Sequence, residues 1–197
     1  MVQDPYPCEH VVPIEQEPRH RLVIANDFIR AFVIEILPGD RTLCHRHEHD
    51  YLMYVIGDGE IVSAPRYSEP GKLTYRNGDC ELSSAGLVHV VNNVGTTPFR
   101  NVLVELLPAV GELQRGAEPR VIGGDVTVKA IFKGELACVL SLEMHPDGQV
   151  ETLGEAIFVT LLVDGVRDIS WILGRAVLGC DSDRPLRAIL FQLGRTH

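Results

Sequence analysis

The sequence predicts an all-β protein, a sandwich or barrel of many short strands with little helix. Short runs rich in Val, Ile and Leu recur along the 197 residues, and turn-forming residues separate them. The 18 glycines and 12 prolines are scattered through the chain, which leaves little room for long helices.

Turn signals mark the predicted strand boundaries in order along the chain. They are Pro38-Gly39-Asp40, Gly57-Asp58-Gly59, Pro70-Gly71, Asn77-Gly78-Asp79 and Asp164-Gly165. Both central residues of a type I′ turn need positive φ, so Asn77-Gly78 between apolar runs predicts a two-strand hairpin. A helical turn or two is expected only at about residues 110–116.

Composition excludes two classes of function. The chain has 27 acidic and 18 basic side chains, a formal charge of -9, whereas a nucleic-acid-binding protein needs a basic surface. No stretch approaches the roughly 18 apolar residues of a membrane-spanning helix. The five cysteines are spread evenly without a C-x-x-C pair, which favours reduced thiols in a cytoplasmic protein.

An approximate internal repeat predicts two related halves. Residues 51–59 resemble residues 157–165 at an offset of 106, and residues 98–106 resemble residues 185–193 at an offset of 87. The smaller second offset means that the second copy is shorter between these two segments. We therefore predict an N-terminal half at 1–107, a linker at 108–124 and a shortened second half at 125–197.

Three closely spaced histidines are the strongest functional signal. In a β-strand alternate residues point to one face, so His45, His47, His49 and Tyr51 would line up together. Two imidazoles on one face can bind the same metal ion. A solvated polar tract is the alternative, because charged residues alternate with these histidines.

A fourth histidine, His89, lies in a predicted strand after the turn at Gly78. His89 would share one strand face with Leu87, Val91 and Asn93. By itself such a histidine is more often a hydrogen-bonded core residue than a metal ligand.

Together these two segments resemble the two sequence motifs of the cupin superfamily. Gly39, His45 and His47 match the first motif, G-x5-H-x-H-x3/4-E-x6-G. Four residues match the second motif, G-x5-P-x-G-x2-H-x3-N, with Ser84 in place of its proline: Gly78, Gly86, His89 and Asn93. The resemblance covers about residues 26–108 and implies a double-stranded β-helix, or jelly-roll barrel. The whole chain resembles a bicupin whose second half is degenerate.

The glutamate ligand of the first motif is missing. Counting from His47 places Tyr51 at its position, whereas counting back from Gly57 places Asp50 there and requires a one-residue slip such as a β-bulge. The resemblance implies His45, His47 and His89 as metal ligands, with Asp50 as a candidate fourth. If Tyr51 faces inward instead, it becomes a candidate catalytic acid or a residue that orients the ligand.

The second half cannot build the same site. The offset of 106 places Glu151, Leu153 and Glu155 at the positions of His45, His47 and His49, and most of the segment for the second motif is missing. We expect this half to complete the architecture.

In the first half, Arg100 and Asn101 could reach a substrate, although pairing at the surface is the favoured interpretation.

The resemblance implies a divalent transition metal, iron first, with zinc, nickel, manganese or copper as alternatives. It suggests a dioxygenase-like enzyme acting on a small organic molecule, and fold resemblance does not determine the reaction. A non-catalytic module that binds or senses a small molecule is the main alternative, and a metal-free isomerase or epimerase is another. Exposed edge strands are compatible with a homodimer.

Overall fold

A computed structural model describes residues 8–162, 165–180 and 183–195, and most of these residues lie in β-strands. Helix is confined, within these ranges, to two short 3-10 turns at Ile14–Gln16 and Pro108–Glu112. The all-β prediction is confirmed, and the expected helical turn begins two residues early. No helix of the described chain is long and apolar enough to cross a bilayer.

The chain divides into two compact units, Met1–Leu107 and Pro108–His197. Residues 108–124, which the sequence suggested as a linker, contain the second 3-10 turn and a strand, Arg120–Gly123. The Arg115 guanidinium donates hydrogen bonds to the backbone oxygens of Gly134 and Gly194. These contacts join the segment to the second unit.

The described residues of the first unit form ten strands in two sheets. In chain order they are β1 (Val12–Pro13), β2 (His20–Ala25), β3 (Ile29–Ile36), β4 (His45–Arg46), β5 (Asp50–Ile56), β6 (Gly59–Pro65), β7 (Gly71–Tyr75), β8 (Cys80–Ser83), β9 (Val88–Asn93) and β10 (Phe99–Leu106). One sheet has the order β1-β4-β9-β6-β7 and the other β2-β3-β10-β5-β8.

The core of this unit is formed by alternate residues of strands from both sheets. On β5 the inward residues are Tyr51, Met53 and Val55, and they pack in one cluster with Ile61 and Val91 of the other sheet. The register between β5 and β10 runs without a shift. This regular pairing determines which side chains of β5 face the interior.

The prediction of a hairpin at Asn77-Gly78 was wrong. The strand β7 pairs with β6, and β8 pairs with β5 of the other sheet, so the turn connects two sheets instead of two neighbouring strands. Gly78 has a φ of 93°, but Asn77 is not among the described residues with positive φ, as a type I′ turn would require.

In the second unit, the part of the chain that the structure describes forms eight strands in two sheets. They are β11 (Arg120–Gly123), β12 (Val126–Lys133), β13 (Ala137–Met144), β14 (Gln149–Thr152), β15 (Ala156–Leu162), β16 (Gly165–Ile172), β17 (Ala176–Gly179) and β18 (Leu186–Leu193). The sheet orders are β11-β14-β17 and β12-β13-β18-β15-β16. The repeated segments β5 and β15 occupy the same place in their sheets, as do β10 and β18.

The described part of the shorter second copy has no counterpart of the hairpin that β6 and β7 form in the first. The three-stranded sheet of the second unit ends at β17, where the first unit continues from β9 to β6 and β7. The strand that would carry the second motif is therefore present as β17. The expectation that this segment was mostly missing was wrong, because the deletion lies in the hairpin before it.

One pair of cysteines departs from the sequence prediction. Cys8 and Cys44 form a disulfide with their Cα atoms 5.1 Å apart, whereas Cys80, Cys138 and Cys180 remain as thiols. The expectation of five reduced thiols is wrong for this pair. The parallel pairing of β1 with β4 brings the chain near Cys8 alongside Cys44, which no spacing in the sequence indicates.

Candidate metal centre

Strand pairing brings the two histidine motifs together. On β4, His45 lies directly opposite His89 of β9 in an antiparallel ladder. Just beyond β4, the His47 backbone N–H donates to Leu87 O, and Gly86 N–H donates to His47 O. These bonds extend the pairing by a further step and place all three imidazoles on one face.

The three imidazoles converge through their Nε2 atoms. Nε2 of His89 lies 3.2 Å from Nε2 of His47 and 3.2 Å from Nε2 of His45. Two nitrogens bound to one ion at about 2.0–2.1 Å would be about 2.8–3.4 Å apart for angles from 90° to tetrahedral. The spacing therefore fits three ligands of one metal ion, and all three side chains are buried.

The opposite ring nitrogens are held differently. His45 Nδ1 donates to Leu43 O at 3.0 Å, which leaves the Nε2 lone pair for the centre. His89 Nδ1 lies 3.0 Å from Ser63 Oγ. His47 Nδ1 is buried and has no hydrogen-bond partner in the described ranges, and this ring stacks on Tyr51.

Burial keeps these imidazoles neutral. Burial, together with the neighbouring His20, lowers the pKa of His45 to about 4. Burial and the other histidines lower the pKa of His47 to about 2 and that of His89 well below its usual value. A neutral imidazole is the form that binds metal, so the cluster is ready to bind an ion at neutral pH.

The two candidates for the missing carboxylate position lie on opposite faces of β5. Tyr51 faces inward, and its ring is 4.2 Å from that of His47, centroid to centroid. Asp50 is exposed, and its carboxylate accepts a hydrogen bond from Ala85 N at 2.8 Å. The β-bulge that would turn Asp50 inward is absent from this strand. His49 is half-buried and lies outside the histidine group.

A fourth buried histidine, His20, was not identified from the sequence. It lies on β2 with its ring 4.7 Å from that of His45, and its Nδ1 donates to the Glu17 carboxylate at 2.7 Å. Burial raises the pKa of Glu17, but the hydrogen bond and charge of His20 outweigh this and lower it to about 2. No motif connects His20 to the other histidines, so only the pairing of β2 with β3 reveals it.

Glu17 also positions the chain before the first ligand. Its carboxylate accepts a hydrogen bond from Leu43 N at 3.2 Å, and Leu43 O in turn holds His45 Nδ1. A buried acid is thus connected through one backbone residue to a candidate ligand. Such outer contacts orient metal-binding histidines in many proteins.

A cavity of about 210 Å³ lies beside the cluster, and His20, His47, Tyr51 and His89 are among the residues that line it. Asn101 also lines the cavity and is buried, whereas Arg100 points outward and donates to Glu35 at 2.6 Å. The prediction that both side chains form pairs at the surface is therefore confirmed for Arg100 and wrong for Asn101. Neighbouring residues on a strand face opposite sides of the sheet.

The corresponding place in the second unit is filled by core side chains. Val150 lies opposite Leu178 in the β14–β17 ladder, as His45 lies opposite His89, and both belong to the apolar core. Two residues beyond Val150, Thr152 is also buried. Glu151 points the other way and accepts a hydrogen bond from Arg175 at 2.7 Å. The sequence alignment of Glu151 with His45 was therefore out of register by one residue.

No protein-family model matches the chain, and no curated protein matches it. Among solved structures, oxalate decarboxylase from Bacillus subtilis is similar with a TM-score of 0.54 and 11% identity, covering 87% of this chain and 69% of that one. AerE from Microcystis aeruginosa is similar with a TM-score of 0.53 and 11% identity, covering 90% of this chain and 98% of that one. A cupin domain from Bordetella pertussis Tohama I shares 23% identity over 44% of this chain and 90% of its own, with a TM-score of 0.42. At these identities the first two likenesses concern the fold alone.

Proposed function

We propose that this chain, which has the fold of the cupin superfamily in two copies, binds a divalent transition metal ion through His45, His47 and His89. The observation that carries this proposal is the convergence of three buried Nε2 atoms, with two of the separations at 3.2 Å. Three neutral imidazoles suit iron, zinc, nickel or copper, and we place iron first.

The ion would supply a Lewis acid and open coordination positions, the requirements of a non-haem dioxygenase. The chain's own residues would orient the ligands and exclude water. Leu43 O and Ser63 fix two of the imidazoles, and Tyr51 packs against the third. The cavity would hold a small organic molecule beside them, and the Tyr51 hydroxyl is the candidate group for binding or protonating it.

A module that binds or senses a small molecule without turnover is the second candidate. The apolar lining of the cavity supports it, because such a lining can retain a ligand with few catalytic groups. The two functions differ in whether the ligand is consumed. Uptake of O2 with loss of a bound compound supports the enzyme, whereas a melting shift with the compound unchanged supports the binding module.

Metal content tests the common part of both candidates. We expect protein purified without a metal-affinity tag to contain close to one transition-metal ion per chain by elemental analysis. Replacing His45, His47 or His89 by alanine should abolish stoichiometric binding, with His49→Ala as the matched control. Full occupancy in His89→Ala would contradict the proposed ligand set.

A further inference from the structure

We infer that the cavity beside the histidines takes an uncharged, mainly apolar molecule that donates a hydrogen bond to Asn101. This inference deepens the proposed function and rests on it for the place of the metal ion. The selectivity itself comes from the walls of the cavity, so it can be measured with or without an ion.

The size and lining of the cavity favour a compact apolar ligand. Its volume is about 210 Å³, and an apolar protein cavity of about 150 Å³ is large enough for benzene. The apolar side chains come from both sheets and include Ile34, Ile36, Met53, Ile61, Phe99 and Leu103. A substituted six-membered ring would therefore fit and exclude water from these surfaces.

Asn101 provides the polar contact that determines orientation. It lies on β10 between Phe99 and Leu103 on the inward face, and its side chain is buried. Its Oδ1 has no hydrogen-bond partner among the residues that the structure describes. An unsatisfied buried acceptor is costly, so a ligand hydroxyl or N–H that reaches it would be favoured over an isostere without a donor.

The charges around the cavity disfavour an anion. Among its described lining residues there is no lysine or arginine, and His20 is already paired with the Glu17 carboxylate. An exposed acid, Glu81, also lines the cavity and accepts a hydrogen bond from the Tyr75 hydroxyl at 3.0 Å. A carboxylate in the cavity would lose its hydration without gaining a cationic side chain.

Four small probes test this inference on the full chain: benzyl alcohol, toluene, benzyl methyl ether and benzoate. Affinities are measured by calorimetric or NMR titration, first on the metal-free chain and then after metal loading. We expect benzyl alcohol to bind about tenfold more tightly than toluene or benzyl methyl ether, since one hydrogen bond to Asn101 separates them. In the metal-free chain, benzoate should bind at least about tenfold more weakly than benzyl alcohol.

The substitution Asn101→Leu should remove the preference for benzyl alcohol over toluene and leave toluene binding unchanged within about twofold. If this variant does not fold, the comparison of the alcohol with its methyl ether on the unaltered chain decides the same point. Equal binding of alcohol and ether, a preference that survives Asn101→Leu, or benzoate binding as tightly as the alcohol to the metal-free chain would each overturn the inference. So would a failure of every probe to bind. Absence of metal from the purified chain would instead count against the proposed function.

Discussion

The imidazole of His47 stacks on the phenol ring of Tyr51, with centroids 4.2 Å apart and planes inclined by 25°. The other two candidate ligands are anchored through their Nδ1 atoms, by Leu43 O and by Ser63. His47 lacks such an anchor, because no described residue forms a hydrogen bond with its Nδ1. The orientation of His47 therefore depends on packing against a residue at the position where the family's first motif has a carboxylate ligand.

The stacking predicts different effects for two substitutions of Tyr51. Tyr51→Phe keeps the ring and should leave metal affinity unchanged, whereas Tyr51→Ala frees the imidazole and should weaken binding by about tenfold or more. Competition with a chelating indicator dye measures both affinities. Unchanged affinity in Tyr51→Ala would show that the stack does not orient His47, and a large loss in Tyr51→Phe would show that the hydroxyl is the important group.

Asp50 provides a test of the ligand set that does not disturb the core. Its carboxylate is exposed and bonded to Ala85 N, so Asp50→Asn should leave metal affinity within about twofold of the original. His89→Ala, measured in the same titration, should lose the site. A drop of an order of magnitude in Asp50→Asn would mean that the strand shifts its register when metal binds.

The sequence pattern identified part of the site, because residues that alternate along a strand share one face. Alternation predicted His45, His47, His49 and Tyr51 on one face of a single strand, but the run is divided between β4 and β5 of different sheets, and His49 lies outside the group. His47 and Tyr51 nevertheless stack, and the regular register of β5 keeps Tyr51 on its inward face. His20 has no such signal, because its position near the cluster depends on how β2 pairs with β3. Asn101 was misjudged because a polar residue at a strand start is usually exposed, and only the cavity shows its role.

A buried acid at the end of β10 affects stability. Glu105 is fully buried, and Arg30 Nη1 lies 3.5 Å from its carboxylate. Burial raises the pKa of Glu105 to about 7, with partial compensation by Arg30. Since the folded state then binds the extra proton, this group's contribution to stability is lost as pH rises from about 4.5 to about 7.

Glu105→Gln should therefore stabilise the protein above pH 7 by about 1–3 kcal/mol and have little effect near pH 4.5. Urea unfolding at pH 5 and pH 8 measures the difference, with Glu35→Gln as an exposed control on the neighbouring strand. Equal effects of Glu105→Gln at both pH values would show that the carboxyl group titrates normally.

The histidine cluster should make the metal-free protein sensitive to acid. The pKa of a free histidine is about 6.5, whereas burial lowers the pKa of His45 to about 4 and that of His47 to about 2. Between these values the unfolded state binds more protons than the folded state, so the free energy of unfolding falls as pH drops below about 6.5. For each histidine that stays neutral in the folded state, the free energy of unfolding should fall by about 2 kcal/mol between pH 6.5 and pH 5. Urea unfolding of the metal-free chain at pH 7.5, 6 and 5 measures this loss, and His47→Gln should reduce it because glutamine does not titrate.

Metal should protect the folded state most strongly near neutral pH, because it binds only to neutral imidazoles. Stability of the metal-free chain that stays constant from pH 7.5 to pH 5 would mean that the imidazoles gain protons in the folded state, and that the cluster opens to water when no ion holds it.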